Sequence, residues 1–319
     1  MTSAPAPAAV EAIGLTKTYP GDVKAVNDLS FEVARGEAFG LLGPNGAGKS
    51  TTIGMLTTTV APTAGRAVLS GFDVATQPRR ARAISSVVFQ ETVVDRPLSG
   101  RQNLELHLRL WGVHPGAGRA RLRELANVVG IDDILDRPVE TYSGGQRRRM
   151  EIARALLSDP DVLFLDEPTV GLDTRIRHDL FDVISTLRER TGVTVILTTH
   201  YLDEAERLCD RIAVIDKGVM VACDAPQSLL ATMGQEIVEI RTDEPDGLVR
   251  LLQGAGIGST EVLTIGNTVT VLTTFHSSRQ VMDVLEGQGR IVRASTIRRP
   301  TLDDVYLRLT GDRIQTAAD

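Results

Sequence analysis

Cysteine is scarce in this chain: 319 residues hold two, Cys209 and Cys223, without C-x-x-C spacing and without companion histidines. That excludes a disulfide framework and argues against a structural zinc site, leaving reduced, packed thiols as the expectation. Long hydrophobic runs are absent too, and no segment approaches the ~20 apolar residues that span a bilayer. A basic surplus is missing: net charge is −6 with acids and bases interspersed, so no nucleic-acid partner is expected. The Ala/Pro-rich opening from Met1 to Val10 lacks the basic start and apolar core of a signal peptide. A cytosolic chain is expected, in which any membrane role needs a partner.

The length suits two domains. Residues 1–10 read as a disordered tail, because Ala and Pro without larger apolar groups cannot offset chain entropy. Residues 312–319 read as a second tail. Between them the expected division is 11–234 and 235–311.

The most informative segment runs from Gly43 to Ser50, GPNGAGKS, which fits G-x-x-x-x-G-K-[ST] directly after the apolar run Phe39–Leu42. Glycines such as Gly43, Gly46 and Gly48 let successive backbone N–H groups turn toward phosphates, and a helix opening near Lys49 adds its positive dipole end. Lys49 would reach the β- and γ-phosphates, and the Ser50 hydroxyl would hold Mg²⁺. A nucleoside triphosphate is the expected ligand.

Around this loop the pattern is mixed. Short strands are predicted at Ala12–Leu15, at Leu29–Val33, at Ala38–Leu42, at Ala67–Leu69 and at Val87–Phe89. From about 91 to 160 the spacing turns helical, over Asn103–Trp111, Ala120–Val129 and Gln146–Leu157, and reads as a helical insertion. The strands Val162–Leu165 and Val193–Thr198, separated by helix Arg175–Arg190, restore the β-α-β rhythm of a buried parallel sheet. A hairpin over Ile212–Ala222 turns at Lys217-Gly218.

After Gly234 the order is strand Ile237–Arg241, helix Asp246–Gly254, strands Glu261–Ile265 and Thr268–Thr273, helix Ser278–Gly287 and strand Ile291–Ile297. This is the β-α-β-β-α-β order of a ferredoxin-like domain. A closing helix, Leu302–Leu309, follows Pro300, with Leu302, Val305, Tyr306 and Leu309 facing inward. No catalytic constellation is visible there, and regulation, dimer support and partner docking all stay open.

Val162–Glu167 is an apolar strand that delivers two carboxylates at its C-terminal end, where open α/β sheets bind ligands. Asp166 suits Mg²⁺, and Glu167 suits a general base polarising the attacking water. Alone, such a pair also fits an ordinary capped strand end; after a phosphate loop it reads as functional.

Thr141-Tyr142-Ser143-Gly144-Gly145-Gln146 before a helix is the segment that fixes a family. Here the chain resembles the ATP-binding-cassette (ABC) ATPases. Ser143 to Gln146 looks like their signature motif, and Gly43–Ser50 and Val162–Glu167 look like their Walker A and Walker B motifs. The remaining elements follow in the family's order: Tyr19 as the aromatic on adenine, Gln90 as the Q-loop, Gly171-Leu172-Asp173 as the D-loop and His200 as the switch histidine.

The resemblance covers roughly residues 11–230. It implies a P-loop NTPase cassette, a mixed sheet core plus a helical subdomain, with a small α+β ferredoxin-like domain behind it. It adds Asn45 and Thr51 to the nucleotide-binding set, and Gln90 to the Mg²⁺ ligands. One departure is Tyr142, where the family more often has Leu. The family completes each ATP site with the signature of a second subunit, which implies a head-to-tail homodimer sharing two sites.

His200 ends a strand at the same sheet edge, where an imidazole could donate to the γ-phosphate or hold the attacking water with Glu167. Alone, a strand-end histidine is also a common structural residue. Gln90 could reach Mg²⁺ or the water while its loop meets the helical insertion. Tyr19, before Pro20-Gly21, fits either a packed turn or a stack on adenine. Arg147-Arg148-Arg149 reads as a solvated helix face.

Residues 298–310, RRPTLDDVYLRLT, look like the tail of the daunorubicin-resistance type of ABC ATPase. That narrower resemblance implies the ATPase of a drug, antibiotic or lipid-like exporter, working at the cytoplasmic face of the cell membrane beneath a separate integral membrane permease. An importer ATPase and a non-transport ABC protein acting on ribosomes or DNA are the rivals. The usual β-barrel tail of the first, and the fused cassettes or coiled coils of the second, are not seen.

Overall fold

The computed structural model describes residues 8–91, 93–258, 261–274, 276–286 and 292–311. These form two compact units that part between Met220 and Val221. The partition lies inside a strand, earlier than the boundary read at Gly234, which followed a break in hydrophobic pattern rather than the course of the backbone.

In the first unit, β1 (Val10–Tyr19) and β2 (Val23–Val33) form a hairpin much longer than the short strands expected there. With β4 (Ala64–Leu69) and β5 (Phe72–Asp73) they make an antiparallel sheet of order β2-β1-β4-β5. Gly14 at φ 58° and the register shifts near it explain why the alternation of β1 faded early in the sequence. Ala9 and Val10 are fully buried, and the Ala9 N–H bonds to the Val33 carbonyl. The tail assigned to residues 1–10 is therefore wrong at its end, because two small apolar side chains suffice once β2 supplies the pairing. Residues 1–7 and 312–319 lie outside the described residues.

The second sheet combines β3 (Ala38–Leu42), β6 (Ser85–Val88), β7 (Val162–Asp166), β8 (Thr194–Thr199), β9 (Arg211–Asp216) and β10 (Val219–Asp224) in the order β10-β9-β3-β8-β7-β6. From β9 to β6 the pairing is parallel. All residues of β3, β7 and β8 are buried, as near-continuous apolar runs covered on both faces require. Register pairs Leu42 with Thr199 and Asp166 with Thr198, so three strands end level at one sheet edge. Lys217 and Gly218, both with positive φ, close the β9–β10 hairpin.

Helix α1 (Lys49–Leu56) leaves β3, and a short α2 (Pro78–Ala83) precedes β6. The helical stretch holds α3 (Gly100–Leu110), α4 (Pro115–Val128) and α5 (Gly144–Leu156). Met150, Ala153 and Leu157 face the core as their spacing predicts. After β7 come α6 (Thr174–Thr191) and, after β8, α7 (Leu202–Leu208).

The second unit contains α8 (Pro226–Ala231), β11 (Ile237–Thr242), α9 (Pro245–Gly254), β12 (Val262–Ile265), β13 (Thr268–Leu272), α10 (Ser278–Leu285), β14 (Val292–Arg298) and α11 (Leu302–Thr310). Its antiparallel sheet has the order β12-β13-β11-β14, which with two helices in β-α-β-β-α-β sequence is the ferredoxin-like arrangement. Val238, Ile240, Val269 and Val271 pack on Leu248, Leu252, Val281 and Leu285. Each such side chain contributes about 1.5–3 kcal/mol of burial. In α11, Leu302, Val305 and Tyr306 are buried as expected, but Leu309 is 41% exposed and Leu307 is buried instead. That helix is buried around a wider face at mid-length, and its last turn reaches solvent.

Candidate functional site: a phosphate loop facing two carboxylates and a histidine

The loop between β3 and α1 is shaped for an anion. Gly48, at φ 103°, starts α1 with no side-chain cap, and a Cβ there would collide with the Ala25 carbonyl. The first-turn N–H groups of α1 thus keep their capacity for a ligand. Asn45 and Gly46 stand exposed on the crest of the loop, and Thr51 is half-buried in the first turn of α1.

Lys49 is buried, and its Nζ donates to the carbonyls of Gly43 (2.8 Å) and Pro44 (3.1 Å). Burial pulls its ammonium below the ordinary lysine value, opposed by the charges of Glu167 and Asp166. Glu167 Oε1 lies 3.4 Å from Lys49 Nζ and 3.4 Å from His200 Nδ1. The histidine contact is close but not aligned as a hydrogen bond, which leaves Nδ1 buried and without a partner.

Asp166 ends β7 with its Oδ1 accepting from Thr198 Oγ1 (2.5 Å) and Ser50 Oγ (3.2 Å). Ser50 is exposed beside it, so a hydroxyl and a carboxylate form an adjacent pair of hard oxygen donors of the kind Mg²⁺ takes. Glu167 itself sits at φ 45°, in the left-handed region. A cleft of about 200 Å³ beside it is also lined by Gln90, Gly144, Arg147, Glu151 and Leu172.

Comparison with known proteins agrees with this geometry. Residues 26–170 match the ABC transporter family. Over 321 residues the chain is 41% identical to a daunorubicin resistance ATP-binding protein of Streptomyces coeruleorubidus, covering 96% of each chain. The chain belongs to the ATP-binding proteins of ABC transporters. It is also 39% identical over 317 residues to a Nod factor export ATP-binding protein of Paraburkholderia xenovorans, covering 97% of this chain and 99% of that one.

Among solved structures, an ABC transporter component from Clostridium perfringens aligns with a TM-score of 0.67 at 24% identity, over 78% of this chain and 96% of that one. An ATP-binding cassette solved as a dimer with ADP and Pi aligns with a TM-score of 0.61 at 25% identity, over 68% and 98%. The chain is thus an ABC ATPase, and the similarity of its relatives runs through both of its units.

Other elements of the ABC pattern lie around this centre. Ser143 caps α5: its Oγ accepts from the Gln146 N–H (3.2 Å), and Gln146 Oε1 accepts from the Ser143 N–H (2.9 Å). Such a cap is worth about 1 kcal/mol. Ser143 and Gly144 are exposed, whereas Gly145 is buried where a Cβ would collide with Ile176 of α6. The unusual Tyr142 is buried, with its hydroxyl donating to the Ile134 carbonyl at 2.7 Å, so it packs where the family's Leu would and adds an anchor. Asp173 caps α6 by accepting from the Ile176 N–H at 3.0 Å.

Tyr19 is 38% exposed at the end of β1. It pairs with Val23, on the strand whose Ala25 crowds Gly48, and Lys17 Nζ stands 5.2 Å from its ring centroid. Gln90 is exposed just after β6. The two thiols form no disulfide, and Cys209 packs against Gly40 with burial pushing its thiol up.

Arg148 corrects the reading of a solvated arginine face. It is 7% exposed and donates to the carbonyls of Phe89, Asp166, Glu167 and Pro168. Its neighbours Arg147 and Arg149 are half-buried. The only sequence signal was helical phase: Arg148 falls on the side of α5 shared with Gly145 and Glu151, both buried.

Proposed function

We propose that this ABC ATPase drives an exporter by hydrolysing Mg²⁺–ATP at the edge where β3, β7 and β8 end. The observation that carries the reading is the convergence of buried Lys49, Asp166, Glu167 and His200 on a capless helix start. In that reading Lys49 and the loop N–H groups hold the phosphates, with Asn45 and Gly46 on the loop and Thr51 in the first turn of α1 beside them. Ser50 and Asp166 would hold Mg²⁺, with Gln90 in the adjoining cleft, and a bound ion there would supply neutralisation of charge developing on the phosphate oxygens. Glu167 accepts a hydrogen bond from the attacking water and orients it, and His200 donates to the γ-phosphate side. Tyr19 offers its exposed ring to the adenine.

The exposed Ser143, Gly144 and Asp173 suit a second copy of the chain, whose phosphate loop they would close over ATP. The relative solved as a dimer with ADP and Pi supports that arrangement. A permease would dock on the exposed apolar side chains Phe89 and Val93 after β6 and Leu106, Leu110 and Trp111 of α3 and its end. Among the described residues no helix is long and apolar enough to cross a membrane, so in this reading the permease holds the chain at the cytoplasmic face. The relatives' names, daunorubicin resistance and Nod factor export, favour a drug-like or lipid-like cargo.

The test is to lock the Glu167→Gln chain with ATP in its native membranes and identify what copurifies. A polytopic membrane protein supports the exporter reading. Recovery of ribosomes, DNA or the chain alone contradicts it.

A further inference from the structure

Three consecutive carbonyls at the end of β7 point at one guanidinium. Arg148 Nη2 donates to the carbonyls of Asp166 (3.1 Å) and Glu167 (3.3 Å), and its Nε donates to that of Pro168 (2.7 Å). Its Nη1 donates to the Phe89 carbonyl (2.5 Å), next to Gln90, and to Glu151 Oε2 (3.3 Å). Glu151 Oε1 in turn accepts from the Val93 N–H (3.1 Å), and Arg154 Nη1 donates to the Val93 carbonyl (2.5 Å). Both ends of the loop around Gln90 are therefore tied to α5, the helix that begins at Ser143.

Carbonyls of successive residues converge on one point only if the backbone turns sharply, and here the turn is made at Glu167 with φ 45°. For a non-glycine residue that conformation costs about 1–3 kcal/mol and persists only where the surroundings over-determine it. Two groups do so: Thr198 Oγ1 accepts from the Glu167 N–H (3.0 Å), and Arg148 collects the carbonyls on either side. Only a planar fork with five donors can serve that many acceptors at once; an ammonium is a point donor. Burial lowers the Arg148 pKa, opposed chiefly by Glu151.

We propose that Arg148 is a positioning residue: it holds the Glu167 backbone in its left-handed turn, aims that carboxylate, and couples the aim to the loop around Gln90. The reading rests on the role given to Glu167 above. It makes the start of α5 and the hydrolytic carboxylate parts of one rigid assembly, so that displacement of the Gln90 loop would move Glu167.

The test compares Arg148→Lys with the unaltered full-length chain, measuring ATP turnover, ATP affinity by fluorescence titration and thermal melting, with Glu167→Gln run in parallel. A carboxylate misplaced by about 1 Å costs on the order of 100-fold, so kcat of Arg148→Lys should fall about 10- to 100-fold while ATP affinity changes less than about 3-fold. A merely structural role would lower melting and affinity together, and that result, or unchanged kcat, overturns the proposal.

If Arg148→Lys does not fold, Glu151→Gln decides. It keeps an acceptor for Val93 but loosens the guanidinium, and should lower kcat by about 3-fold at constant affinity; unchanged kcat overturns the proposal. Near-normal turnover by Glu167→Gln would instead overturn the role of Glu167, so the two ideas fail separately.

Discussion

Two clusters of buried charge, one in each unit, are built in opposite ways. In the first, Lys49, Glu167 and His200 gather within 3.4 Å contacts, yet the imidazole Nδ1 has no hydrogen-bond partner and Glu167 sits in a strained turn. In the second, the buried Asp304 accepts the fork of Arg298 (2.7 and 2.8 Å) together with the N–H (2.8 Å) and hydroxyl (2.9 Å) of Thr301. Arg298 also reaches Glu239 Oε2 at 3.1 Å, tying β14 to β11. Complete pairing fixes a structure, whereas incomplete pairing leaves capacity that a ligand can take up. The contrast separates a cluster with spare hydrogen-bonding capacity from one that is fully paired.

The sharpest way to break the contrast is to remove the fork. Arg298→Met should leave Asp304 buried without its counter-charge and cost the second unit about 3–4 kcal/mol, read as a lower denaturant midpoint, while ATP affinity stays unchanged. Burial pushes the Asp304 carboxyl up, but Arg298 and Thr301 together outweigh it and hold it below the usual carboxylate value. Its contribution is therefore present above the ordinary aspartate pKa and is lost as pH falls through the lowered one. Arg298→Met should flatten that acid limb; an unchanged midpoint and limb would mean the pair is not what holds α11 and β14.

Next in size is Glu204 on α7, buried with its Oε1 unpartnered. Burial pushes its carboxyl up to about 7, against Thr199, Thr169 and Arg177. The folded state thus binds the proton more tightly than the unfolded one. Stability from this group is full below about 4.5, declines as pH rises towards 7, and levels off above. Glu204→Gln should remove a penalty on the order of 3 kcal/mol at pH 8 and none at pH 4. Equal stability curves for the two proteins would show that the carboxyl is not desolvated.

Lys49→Ala should weaken ATP binding by about 10- to 100-fold, the loss of a charge-assisted phosphate contact. Unchanged affinity would remove the phosphate loop from the site.

Much of this was legible in the sequence because phosphate binding needs particular residues at particular spacings. Lys49 was read that way, Asp166 and Glu167 from an apolar strand end after a phosphate loop, and His200 only from the resemblance to the ABC ATPases; the level strand ends that join them follow from β-α-β order. The ferredoxin-like order of the second unit was equally readable from alternating patterns and Gly266-Asn267. Arg148 was not, because four of its five hydrogen bonds go to backbone carbonyls, which leave no mark in a sequence, and its one side-chain partner, Glu151, has the spacing of an ordinary i,i+3 pair on a helix surface. The start of α3 was placed three residues late, at Asn103, although Ser99 and Gln102 form a capping box there. Apolar periodicity begins only after that polar first turn. Leu309 misled because its spacing is inward while its turn is terminal.

The central claim is that Glu167 directs hydrolysis while the loop around Lys49 binds nucleotide. The direct measurement is ATP affinity and turnover of Glu167→Gln against the unaltered chain. The account predicts unchanged affinity with turnover lowered by about 10²–10⁴. Turnover near that of the unaltered chain would contradict it.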